Sequence, residues 1–199
     1  MESAAAGMGG KDGMLLFINA CVRKESRTKR LADKLVATLN DTVEEVKLFN
    51  LTFPTVDEAF LLHRDKLIAA EKFDDDLFVL ARQFASVDTI VIAAPYYDLS
   101  FPSSLKTYLE QINVVGITFR YSETGIPVGL CKAKKLYYVM TAGGNYVSEE
   151  YGFGYVKALA NGYYGIKNCV LIEAMGLDIV GVDVERIMKE AEEEIEKLI

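Results

Sequence analysis

"TIVIAAPYYDLSFPSSLK" (residues 89–106) decides how the rest of the chain is read. It opens as an uninterrupted apolar, largely β-branched run, the pattern of a strand buried on both faces. Pro95 stops that strand, and Pro102 has the fixed φ that suits the start of a helix. Between the prolines, residues Tyr96 to Phe101 belong to neither element, and the backbone amides at 97–99 are expected to point out of the sheet's end beside aromatic rings. A doubly buried strand that passes into a helix is part of a β-α-β unit.

Four more strand-like runs lie on either side: Met14–Asn19, Val43–Leu48, Lys135–Thr141 and Asn168–Ala174, with the central run taken as Thr89–Ala94. Helical periodicity separates them. Leu31, Leu35, Val36 and Leu39 share one face, as do Leu77, Leu80, Ala81 and Phe84, and Leu105, Leu109 and Ile112. Ile187, Met188, Ala191, Ile195 and Leu198 line a last helix whose "EEE" run is a solvated face. This alternation predicts an α/β fold: a doubly wound, five-stranded parallel sheet of flavodoxin-like order 2-1-3-4-5, with helices on both faces. Residues 14–199 form one domain. Residues 1–13, small and glycine-rich, are expected to be a loose arm or an expression remnant.

Composition narrows the function. The 199 residues are 51% hydrophobic, enough for a full core, and the net charge of −7 argues against broad nucleic-acid binding. No apolar run approaches the ~20 residues of a membrane span. Cys21, Cys131 and Cys169 are odd in number and lack CxxC spacing, which suits a reducing, cytoplasmic setting. His63 is the one histidine and lies on an apparent helix, so no metal site is expected. The sequons at Asn40 and Asn50 have no secretory context and are read as chance.

In a sheet of this order, ligands bind beyond the strand ends where the order reverses, so the loops after strands 1, 3 and 4 matter most. The first, "ACVRKESRTKR", crowds Arg23, Lys24, Arg27, Lys29 and Arg30 at a helix start, where the helix dipole disfavours cations. With Ser26 and Thr28, it would satisfy a phosphate; the plainer alternative is a serine-capped helix with a solvated basic face. The second is the opening quotation, whose plainer role is to cover the sheet edge. The third, "TAGGNY", lets backbone approach a ligand closely at Gly143 and Gly144, although a tight turn needs the same residues. One loop suits a phosphate and two suit a planar heterocycle, which is the shape of flavin mononucleotide (FMN).

The stretch "DTIVIAAPYYDLSFPSSLKTYLEQINVVGITFRYSETGIPVGLCKAKKLYYVMTAGG" (88–144) resembles the bacterial FMN-dependent NADH:quinone oxidoreductases and azoreductases, and "GITFRYSETG" (116–125) is its most specific part. The resemblance runs from about Met14 to the C-terminal helix. It implies a flavodoxin-like homodimer with FMN near the dimer interface. It also implies ping-pong chemistry, in which NADH or NADPH reduces the flavin and leaves before a quinone or azo acceptor takes the electrons. Carried over, the phosphate run falls on Ser26, Arg27 and Thr28, and the ring-binding segments on Pro95, Tyr96, Tyr97, Asp98 and Leu99 and on Thr141, Ala142, Gly143 and Gly144. Phe119 matches an aromatic on the substrate side. Three positions depart from the family pattern: Ala20 stands where a phosphate-binding serine is common, Asp98 where asparagine is, and Ala142 where arginine is. The competing expectations are a flavodoxin-type electron carrier without an organic substrate and a flavin-free interaction domain. The excursion from Gly116 to Gly129, which would wall the site, favours the reductase.

Overall fold

The computed structural model describes residues 13–148 and 150–198. Residues 1–12 of the expected arm lie outside them. Gly13, placed with the arm from the sequence, is joined to the sheet: its carbonyl accepts the Thr42 N–H at 3.0 Å.

Five parallel strands, β1 (Met14–Asn19), β2 (Thr42–Lys47), β3 (Thr89–Ala93), β6 (Lys135–Thr141) and β7 (Asn168–Ala174), are ordered β2-β1-β3-β6-β7. This is the flavodoxin-like arrangement expected. The second strand lies one residue earlier than predicted, because Leu48 turns into a 3-10 segment, Leu48–Asn50. A hairpin of β4 (Phe119–Tyr121) and β5 (Pro127–Gly129) stands apart from the sheet. Strands of three residues are too short for their periodicity to be read.

The helices are α1 (Arg27–Leu39), α2 (Glu58–Ala69), α3 (Val79–Ser86), α4 (Ser103–Ile112), α5 (Phe153–Leu159) and α6 (Val184–Lys197). Successive strand residues point to opposite faces. Leu16 and Ile18 therefore join Ile90, Ile92, Phe84, Leu105 and Leu109 in one core. Leu15 and Phe17 join Val91, Leu31, Leu35, Met188 and Ile195 in the other. Burial on both faces accounts for the continuous apolar reading of β1 and β3.

The basic crowd at the start of α1 is partly explained by α6. Arg30 bonds Glu185 and Glu192 at 2.8 and 2.7 Å, and Lys34 bonds Glu196 at 2.6 Å. Lys29 pairs with Asp33 one turn along its own helix. Lys29 and Arg30 thus serve ion pairs, and the loop holds fewer free cations than the sequence suggests.

The 116–129 excursion also differs from expectation. Lys132 and Lys134 N–H donate to Ala85 and Asp88 carbonyls, beside the residue where β3 begins. A Cβ on Gly129 would lie 2.2 Å from backbone at Tyr164–Gly165, which precedes β7. The hairpin therefore sits at the amino ends of the strands, opposite the loops singled out above, and cannot wall a site on its own chain. Phe119 is buried there, stacked on Tyr163 at 4.5 Å. Among the described residues, no helix is long and apolar enough to cross a membrane, and no cluster of His, Cys, Asp and Glu could hold a metal ion.

Candidate active site

Three backbone hydrogen bonds fix the loops at the carboxyl edge. Ala20 N–H donates to Ala93 O (2.9 Å), Ala94 N–H to Val139 O (3.0 Å) and Tyr96 N–H to Thr141 O (3.1 Å). The first extends the parallel ladder into the loop after β1 and the other two into the loop after β3; Ala142 N–H, donating to Ala174 O at 3.0 Å, does the same for the loop after β6.

The first loop is shaped by Asn19, which is fully buried. Its Oδ1 accepts the Cys21 N–H at 2.9 Å and its Nδ2 donates to Glu45 at 2.8 Å. Ser26 caps α1 by accepting the Lys29 N–H. Buried Thr28 meets Thr141 across the floor, Oγ1 to Oγ1 at 2.7 Å. Arg27 reaches sideways to the Leu177 carbonyl (3.3 Å) and the Asp178 carboxylate (2.7 Å). Cys21 lies beneath this loop, and burial pushes its thiol up to about 11, so it stays neutral and a poor nucleophile near pH 7.

The second loop is a tight turn. Tyr97 and Ser100 exchange backbone bonds at 2.9 and 2.8 Å, and Asp98 and Leu99 between them have φ of 47° and 69°. Two successive positive φ values define a type I′ turn, a conformation that asparagine and glycine favour and leucine rarely adopts. The Tyr97 N–H is consumed inside the turn, contrary to expectation. Those of Asp98 and Leu99 have no acceptor among the described residues. Tyr96 spans to the third loop, its hydroxyl accepting the Ser148 N–H at 2.9 Å.

In the third loop the carbonyls of Ala142, Gly143 and Gly144 accept from Leu177, Asp178 and Gly176, residues that follow β7. The Gly143 and Gly144 N–H groups are left without an acceptor among the described residues. A Cβ on Gly143 would lie 2.3 Å from Asp178 Oδ2, so a side chain there would push the Asp178 carboxylate aside.

Together these loops enclose a cavity of about 390 Å³. It gathers Ser26, Arg27, Thr28, Pro95, Tyr96, Tyr97, Thr141, Ala142 and Gly143 from the expected set, along with Arg23. Asp98, Leu99 and Gly144 adjoin lining residues in the chain but do not line it. Ala20 is buried, with its N–H committed to Ala93, and Phe119 is at the other end of the sheet. A larger cavity, about 820 Å³, lies between the edge strand β2 and α3.

Residues 14–199 match the model of a family described as having a flavodoxin-like fold. The FMN-dependent NADH:quinone oxidoreductase 2 of Clostridium acetobutylicum is 38% identical over 189 residues, 88% of this chain and 92% of that protein. The chain belongs to the flavodoxin-like family of these quinone oxidoreductases. Among solved structures, an azoreductase from Bacillus anthracis is similar with a TM-score of 0.80 and 26% identity, over 94% of this chain and 98% of that one. An FMN-dependent NADH-azoreductase from the same species, solved with FMN, gives 0.76 and 25%, over 93% and 97%.

Sequence reasoning about this family member missed Val22, Glu25, Leu177 and Asp178 in the cavity lining. For Asp178 a signal exists: "GLDIVG" sets an acidic residue between Gly176 and Gly181, both at positive φ, just past the last strand. The Thr28–Thr141 contact joins two of the three loops, and its removal is measurable. Thr28→Val and Thr141→Val should each cost about 1–2 kcal/mol in urea denaturation, because the remaining hydroxyl loses its partner. The double variant should cost less than the sum, with a coupling of about 1 kcal/mol.

Proposed function

We propose that the chain is an FMN-dependent oxidoreductase that takes electrons from NADH or NADPH and delivers them to quinones or azo compounds, donor and acceptor using the same open flavin face in turn. The observation that carries this reading is the convergence of two kinds of unused donor on one cavity. At one end stand the backbone N–H groups of Arg27 and Thr28 in the first turn of α1, which have no acceptor among the described residues. At the other stand the unpartnered N–H groups of Gly143 and, in adjoining turns, of Asp98, Leu99 and Gly144. Backbone donors without acceptors are uncommon and cost stability unless a ligand or solvent meets them. The relatives' names, which specify FMN and NADH, support the same reading.

When bound, FMN supplies the redox chemistry, accepting two electrons from a reduced nicotinamide and passing them on. The chain binds and orients. The first turn of α1, with Arg27 and the Thr28 hydroxyl, would hold the phosphate by charge-assisted bonds. Tyr96 and Tyr97 would border the ring. The free N–H groups of Gly143 and Gly144 would stabilise negative charge developing on it, as oxyanion-hole donors do. No general base is required, and the neutral Cys21 thiol takes no part. Three free thiols suit a reducing compartment such as the cytoplasm.

The active form is a homodimer. Phe49, Val56, Leu61 and Leu62 expose between 44% and 54% of their surfaces, a concentration of apolar area typical of interfaces. The hairpin, with exposed Tyr121 and Ile126, lies at the wrong end of the sheet to cover its own cavity. If it walls a flavin, that flavin is the partner's. Sedimentation of FMN-loaded protein at micromolar concentration should give a dimer, and a monomer there would contradict this.

The decisive test of the activity is anaerobic titration of the FMN-loaded chain with NADH and NADPH. Flavin absorbance should bleach in one two-electron step and return on adding a quinone. A stable one-electron stage with its own long-wavelength band would favour the electron carrier. Absence of bleaching by either nicotinamide would overturn the proposal.

A further inference from the structure

Two residues outside the cavity set how its first loop leaves the sheet. β1 and β2 run parallel, with Phe17 opposite Glu45 and Asn19 opposite Lys47. Alternate strand residues share a face, so Asn19, Glu45 and Lys47 lie on the same side of the sheet. Asn19 is fully buried, and Glu45 belongs to the edge strand. The Asn19 amide is bonded at both ends: its Nδ2 donates to Glu45 Oε1 at 2.8 Å, and its Oδ1 accepts the Cys21 N–H at 2.9 Å. Turned over, the amide would set its NH₂ against another donor and its oxygen against a carboxylate, so the two bonds fix one orientation. The bond to Cys21 is an Asx turn, in which an asparagine side chain takes the N–H two residues on and bends the chain. It forms at the last residue of β1, where the backbone turns toward α1.

Glu45 has a second contact, with Lys47 at 3.5 Å through its other oxygen. A half-exposed pair of that kind contributes little. The bond to Asn19 is directional, and it satisfies an amide that water does not reach.

The loop positioned in this way relies on its backbone to meet an anion. Arg27 is paired with Asp178, the Thr28 hydroxyl is bonded to Thr141, and Ala20 carries no hydroxyl. The N–H groups of Arg27 and Thr28, and those of Val22 to Glu25 before them, have no acceptor among the described residues. An amide cannot swing toward its ligand as a long side chain does, so its grip on a phosphate depends on the course of the loop.

We propose that Glu45 is a positioning residue for the phosphate of FMN: it holds the Asn19 amide, and Asn19 aims the backbone donors of the first loop. This rests on the flavin reading above. Neither residue lines the cavity, and the phosphate, not the ring, is the part of the flavin that depends on them.

The test compares FMN with riboflavin, which lacks the phosphate, on wild type, Glu45→Gln and Glu45→Leu. Each flavin-loaded protein is diluted, and released flavin is read by its fluorescence. Glu45→Leu removes the acceptor and should weaken FMN roughly five- to tenfold while leaving riboflavin within about twofold of wild type. Glu45→Gln keeps an acceptor oxygen for Asn19 without the charge and should hold FMN as wild type does. In ¹⁵N-labelled, FMN-loaded protein, the Cys21 amide resonance should move in Glu45→Leu and stay in Glu45→Gln. Glu45→Val, which suits a strand, removes the same acceptor should Glu45→Leu fold poorly, and should weaken FMN alike. Four results would overturn the proposal. FMN held equally by all three proteins would mean that Glu45 only finishes the edge strand. FMN and riboflavin weakened alike would mean that it supports the fold and not the phosphate. Glu45→Gln as damaging as Glu45→Leu would mean that the charge acts and the bond to Asn19 does not. Retention of neither flavin by wild type would remove the flavin reading and this proposal with it.

Discussion

Three hydrogen bonds that carry the parallel ladder past the ends of its strands hold the site together: Ala20 to Ala93, Ala94 to Val139 and Tyr96 to Thr141. They are ordinary backbone bonds, but each ties a loop to the carbonyl of the next strand. The register of β1, β3 and β6 is set by two packed cores, and a slip of one residue would exchange the faces. The core thus determines where the first turn of α1, the Tyr97–Ser100 turn and Gly143 stand relative to one another. Burial of Leu16, Ile18, Ile90 and Ile92 in one of those cores sets the strand ends from which the loops depart.

The parts of the site legible in the sequence are those specified locally. Pro95 and Pro102 mark a strand end and a helix start because each fixes its own φ. Ser26 caps α1 because its side chain reaches an amide three residues on. Features that depend on residues distant in sequence were misread or missed. Arg30 looks like a ligand for an anion until Glu185 and Glu192, more than 150 residues later, are seen beside it. Asp178 is invisible to a search confined to three loops, because it enters from the edge strand. The hairpin reads from the sequence as a wall of the site, yet it stands at the other end of the sheet. Sequence proximity to "TAGG" does not disclose that α4 has carried the chain down to the strands' amino ends.

Stability and function draw on the same groups. Unpartnered N–H groups at Gly143 and Gly144, and the left-handed backbone of Asp98 and Leu99, are costs that packing elsewhere sustains. A ligand that meets those donors recovers part of the cost and stabilises the fold by mass action. In the lining, attraction from Arg23 and Arg27 is offset by Glu25 and Asp178. Recognition then depends on the direction of donors more than on net charge, which suits a cavity on a protein of charge −7.

The central claim is that the smaller cavity at the strand ends, and not the larger groove between β2 and α3, receives the flavin. Amide chemical-shift mapping of ¹⁵N-labelled protein during addition of FMN separates the two directly. The largest shifts should fall on the amides of Thr28, Asp98, Leu99, Gly143 and Gly144, with Val46, Leu51 and Val79 unmoved. Shifts concentrated on Val46, Leu51 and Val79, with the glycine pair silent, would contradict the account.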